Sequence, residues 1–131
     1  MDESKTIIID TGVFAQQVMF HFGDKKDLVD ELTKYFGESD VIAITDAMQD
    51  SDSTVLGKTL SLPKGTLIYM PHTPVSAEDV GVLTHEMLHA VFLITEKIGI
   101  EYSSESEEVY TYLLEYLTQS VMEKLLNNKE K

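Results

Sequence analysis

The sequence predicts an α+β fold: a small sheet of three to four strands in the N-terminal half with one helix, packed on two long C-terminal helices. Three observations predict it. Runs of β-branched and aromatic residues bounded by Gly, Pro and Asp recur through the first half. From Ser76 onward, apolar residues recur at helical spacing through two stretches of about twenty residues each. A chain of 131 residues, 43% of them hydrophobic, suits one core, and hence a single domain spanning residues 1–131.

Taken in order, "MDESKTIIID" is acidic and too short for a secretory leader. "FAQQVMFHF", residues 14 to 22, partly alternates and predicts a strand. In "GDKKDLVDELTKYFG" the rhythm changes: Leu28, Val29, Leu32, Tyr35 and Phe36 recur at helical spacing, with Asp24 as N-cap and Gly37 past the end. "DVIAITDAMQDSDS" predicts a strand running into an acidic loop. Within that loop "DSDST", residues 50–54, lacks the glycine of a calcium loop, since Val55 stands at its sixth position, so it reads as a solvated turn. "STVLGKTLSL" and "GTLIYMP", split by "PKG", predict a hairpin.

Ser76 opens the first long helix as its N-cap and Gly99 closes it. Leu83, Met87, Leu88, Val91, Phe92, Leu93, Ile94 and Ile98 cover nearly every side of it, which predicts a buried central element. Ser104 and Glu107 have the spacing of a capping box for the second helix, which continues through "EVYTYLLEYLTQSVMEKLL" and frays in "NNKEK".

The formal charge is −13, with ten lysines and no arginine. A phosphate backbone needs clustered Lys and Arg, so nucleic acid is not an expected partner, and neither is an anionic membrane. No apolar run approaches the length of a membrane span. With no recognisable leader, the expected compartment is the cytoplasm. Cysteine is absent, which excludes disulfides, thiolate zinc sites and iron–sulfur clusters. Any metal site must therefore draw on His21, His72, His85, His89, carboxylates and water.

"THEMLHA", residues 84 to 90, concentrates the chemistry. His85 and His89 are four apart, so on a helix both imidazoles lie on one face, a turn apart, and can reach one ion. Glu86 is turned about 100° from His85 and can lean toward a water on that ion without being a ligand. The alternative is a pair of packed core histidines. It would leave Glu86 buried in an apolar stretch without a partner, at high desolvation cost. Candidate third ligands are Glu96, Glu101, Glu105, Glu107 and Glu108. Glu96 lies nearly two turns beyond His89 on the same helix, and Glu101 in the connecting loop. Glu107 is engaged by the capping box. Glu108 lies in the first turn of the second helix, where an antiparallel partner helix could present it; Glu105 and Glu107 stay open as substitutes.

"HEMLH" followed by Glu108 in "EEVYTY" resembles the glutamate-type zincins, the gluzincins, whose third ligand is a Glu early in a second helix. The chain also resembles short zincin-like proteins of phages and prophages, through "LTHEMLHAVF" and "SEEVYTYLLEYL". The resemblance implies a zinc metallopeptidase acting on a peptide or protein substrate, with His85, His89 and Glu108 as metal ligands and Glu86 as general base. It assigns "LIYMPHT", residues 67 to 73, to the strand that cradles substrate. His72 and Tyr69 become candidates to stabilise the oxyanion; a turn histidine before Pro74 and a strand tyrosine are the plainer alternatives. Tyr112 stands where the family often carries an aspartate that orients a ligand histidine, and it can still hydrogen-bond a ligand. The competing expectation is a zincin-like module that binds metal and partners with little activity, since a chain of this length leaves little material for a deep specificity cleft.

Overall fold

The computed structural model describes residues 4–49 and 56–127. The solvated turn expected at 50–54, the first residues of "STVLGKTLSL" and the residues from 128, where fraying is expected, lie outside them. The architecture is α+β: a four-stranded mixed sheet from the N-terminal half and four helices, of which the two long C-terminal ones pack on the sheet.

Strand β1 (Lys5–Asp10) pairs antiparallel with β2 (Gln17–Phe22), and β2 pairs parallel with β4 (Gly65–Met70). The hairpin partner β3 (Lys58–Leu62) pairs antiparallel with β4 and forms the opposite edge, giving the order β1-β2-β4-β3. β1 was not expected, because its "TIIID" lies against the acidic start of the chain. Its alternation is clear once paired: Ile7 and Ile9 face the long helices, Ile8 the other side. β2 begins later than the sequence suggests. Gly12–Phe14 form a 3-10 turn, and Thr11 N–H donates to Gln16 O at 2.9 Å to close the loop between the strands.

After β2, helix α1 (Lys25–Tyr35) starts where predicted, with the Asp24 carboxylate accepting from the Asp27 N–H. The segment expected to be a strand, "DVIAITDAMQ", is instead helix α2 (Glu38–Gln49). Its β-branched residues favour strand locally. Val41, Ile44 and Met48, however, are spaced for one helical face, and all three are buried. They pack with Leu28 and Leu32 of α1 over Met19, Leu67 and Tyr69. The sheet thus has a helical layer on each face, not on one alone. That explains why five of six residues of β2 and all six of β4 are buried.

On the other face lie α3 (Ala77–Lys97) and α4 (Glu107–Asn127). Ser76 caps α3 by accepting from Asp79 N–H, and the Asp79 carboxylate returns a bond to Val75 N–H. Leu83, Met87, Val91 and Ile94 pack on Phe20, Phe22, Ile68 and Met70, each burial stabilising by about 1.5–3 kcal/mol. α3 is not buried on all sides as expected: Leu88 and Phe92 are 42% and 44% exposed, on the side away from the sheet. The turn before α4 is held by Ser103 and Ser106, whose hydroxyls accept from Ser106 N–H and Ser103 N–H; Ser104 does not form the expected capping box. Among the described residues no helix is long and apolar enough to cross a membrane.

His21 is fully buried in β2. Its Nε2 faces the Asp24 carbonyl at 3.2 Å, so that nitrogen carries the proton, and Nδ1 accepts from the Thr6 hydroxyl at 2.8 Å. Burial holds its pKa below 6.5, outweighing the bond to Asp24 O and the nearby acids Asp27 and Glu31. The unfolded state therefore binds more protons than the folded state below 6.5. Stability falls as the pH drops from 6.5 toward the folded pKa and is fully present above 6.5. Urea midpoints at about pH 7.5 and about pH 5.5 check this: the decline is expected to shrink in His21→Gln.

Candidate metal centre

α3 sets out His85, Glu86 and His89 by its own pitch. Its core residues Leu83, Met87, Ala90 and Ile94 lie against the sheet, which turns His85 and His89 outward, and both are exposed. Their Nε2 atoms are 3.2 Å apart and their rings meet edge to face at 4.8 Å. Two nitrogens each about 2.0–2.1 Å from one tetrahedral zinc are about 3.3 Å apart, so the pair spans one edge of such a site. The same separation suits an N–H···N hydrogen bond between two neutral rings.

Glu86 points sideways from this pair, toward the edge strand, and is only 7% exposed. Its Oε1 accepts from the Thr59 hydroxyl at 2.6 Å, so the buried carboxylate is not unpartnered. The chain entering β3 lies close on it. A Cβ at Gly57 would come within 3.0 Å of Glu86 Cγ and of Val82 Cγ1, and glycine there leaves the carboxylate its room. Glu86 and His89 line a cleft of about 850 Å³ that runs between β3 and α3, past Phe92, to the α3–α4 connection. Lys97 ties the far end of α3 to the hairpin, donating to Leu62 O at 2.9 Å and Gly65 O at 2.6 Å. Burial lowers its pKa. Glycine at position 99, with φ 81°, ends the helix just beyond.

The third donor is not assembled. Among the described residues no group of three His, Cys, Asp or Glu side chains stands close enough to hold a metal ion. Glu108 is exposed, its Oε1 accepting from the Thr111 hydroxyl at 3.2 Å. The reason is helix length. α3 runs on from His89 to Lys97, about 12 Å, before the chain turns back. The returning α4 sets Tyr110 against Phe92, with ring centroids 5.2 Å apart, and Thr118 against Met87. Glu108, and with it Glu107 and Glu105, is thereby level with the last turns of α3, beyond the histidines. The register between those two contacts brings Glu115 level with His89 instead; Glu115 is exposed.

The remaining sequence-predicted residues do not join the cleft. Tyr69 points to the opposite face of the sheet, stacked on His21 with centroids 6.2 Å apart, because in a strand it must alternate with Ile68 and Met70. Burial raises its pKa. His72 sits beside the first turn of α3, its Nδ1 2.9 Å from Thr73 O and 3.8 Å from the Asp79 carboxylate. Tyr112 is 66% exposed and flanks a separate depression with Thr11 and Phe14. The strand bordering the cleft is β3, through Lys58 and Thr59, whereas residues 67–70 belong to the buried interior strand β4. Thr59 and Gly57 carried no signal in the sequence, since a threonine in a strand and a glycine before one are common. Comparison of the chain with protein-family models, with curated proteins and with solved structures finds no match.

Proposed function

We propose that this chain is a zinc-dependent hydrolase of peptide bonds. The observation that carries the reading is the pair of exposed imidazoles with Nε2 atoms 3.2 Å apart, one residue from a buried carboxylate that lines a cleft. In this reading His85 and His89 would hold the ion; among the described residues no third acid or imidazole stands with them. A bound zinc supplies Lewis acidity toward a carbonyl oxygen and makes water acidic near neutral pH.

The chain's own groups do the rest. Glu86 takes a proton from the attacking water and passes it to the departing amine nitrogen. Thr59 fixes that carboxylate through Oε1, which leaves Oε2 outside that bond, on the Gly57 side. β3 is an edge strand, and its outer side pairs with no other strand among the described residues. An extended peptide can therefore add alongside it by main-chain hydrogen bonds.

Two linked measurements test the reading. Zinc-loaded protein is expected to cleave a mixed peptide pool, and chelation to stop cleavage reversibly. Absence of cleavage in the loaded protein contradicts the hydrolase and leaves the metal-binding module. For the ligand set, Glu108→Ala is expected to change zinc binding little, since that carboxylate stands beyond the histidines and bonds Thr111. A large loss returns the third position to Glu108.

A further inference from the structure

Beyond the histidines the cleft changes character. Its far end is walled by three aromatic rings, Phe92, Tyr102 and Tyr110, with mutual centroid distances of 6.4, 5.2 and 5.1 Å. Tyr110 is the fixed floor, buried and donating its hydroxyl to Ile100 O at 3.2 Å. Phe92 and Tyr102 are 44% and 58% exposed, so each keeps surface open to a ligand. Glu96 and Glu101 line the same end, and among the described residues neither has an ion-pair partner. Among the described residues that line the cleft, three carboxylates (Glu86, Glu96, Glu101) stand against one cation, Lys58.

Aromatic faces and carboxylates around one concavity suit a cation. The rings attract it through their negative faces and shed water from its aliphatic stem, while the acids neutralise its charge. A purely apolar side chain would have to strip water from the two glutamates without compensation. An acidic side chain would meet like charge.

We infer that this end of the cleft, formed by Phe92, Tyr102, Glu96 and Glu101 over Tyr110, binds a lysine or arginine side chain of the peptide substrate. The inference rests on the peptidase reading for its occupant, but binding can be measured without turnover. Geometry sets the distance from the reacting bond. Glu96 is seven residues beyond His89, about 10 Å along the axis. An extended peptide advances about 3.3 Å per residue and the cationic side chain adds reach of its own. The basic residue therefore sits within one or two positions of the bond that is cut.

The test uses fluorescently labelled octapeptides of Ser, Gly and Ala carrying one central Lys, Arg, norleucine or Glu. Their binding to the full chain as the Glu86→Gln variant, with zinc and again with chelator, is followed by anisotropy. Lys and Arg peptides are expected to bind about tenfold tighter than norleucine, and Glu weakest. Added salt should erode the preference. Combining Glu96→Gln with Glu101→Gln should bring Lys down to the norleucine level. Phe92→Leu with Tyr102→Leu should weaken binding of the Lys and Arg peptides. Equal binding of Lys and norleucine, or a Lys preference that survives the double Gln variant, overturns the inference. If the preference holds while zinc-loaded wild type cleaves none of these peptides, the pocket stands and the peptidase reading fails.

Discussion

Replacing Glu86 with glutamine is expected to cut peptide hydrolysis by about 10²–10⁴-fold while zinc content and melting temperature stay at wild-type values. The amide is nearly isosteric with the carboxylate, and its oxygen can still accept the hydroxyl of Thr59, which bonds Oε1 at 2.6 Å. Burial of the side chain thus remains satisfied. What is lost is the ability to take up a proton. Parallel measurement of turnover, bound zinc and thermal unfolding separates the outcomes. Unchanged turnover removes Glu86 from the chemistry. Lost zinc, or a fall in stability matching the fall in rate, assigns it a structural role with Thr59. Neither result is compatible with a general base.

The largest effect on stability is expected from Gly65→Ala, which should destabilise by about 3 kcal/mol or more. Gly65 opens β4 opposite Gln17 of β2, and a Cβ there would stand 2.1 Å from the Gln17 carbonyl oxygen. That neighbour is backbone and cannot swing aside, so the parallel pairing at the centre of the sheet has to shift. The carbonyl of Gly65 also receives the Lys97 ammonium, so the displacement would reach the C-terminal end of α3 and the cleft. Denaturant unfolding checks the magnitude. A loss of under about 1 kcal/mol would mean that the strands separate easily here, against the register described.

How far the sequence reveals this molecule depends on whether a signal is local. α1, α3 and the β3–β4 hairpin are legible because their caps, turns and periodicity lie within the segment itself: Asp24, Ser76, Gly99 and the "PKG" turn act where they stand. α2 is not legible, because Val41, Ile42 and Ile44 favour strand one by one, and only burial of Val41, Ile44 and Met48 on α1 and the sheet decides for a helix. The histidine pair is likewise a matter of helical pitch, and its outward face follows from the residues α3 buries. Distances between elements are another matter. Whether Glu108 or Glu115 stands level with His89 depends on how far α3 runs before the chain turns, and Tyr69 faces away because β4 alternates. Thr59 reaches Glu86 from 27 residues away along the chain, a pairing that no spacing rule contains.

The central claim is that His85 and His89 together hold a divalent ion. Zinc quantified in protein purified without an affinity tag or chelator, then titrated back into stripped protein, tests it most directly. One zinc per chain is expected in the wild type, with tight binding abolished by His85→Ala and by His89→Ala while both variants remain folded. A wild type that binds no zinc, or one whose zinc survives either substitution, would contradict the account.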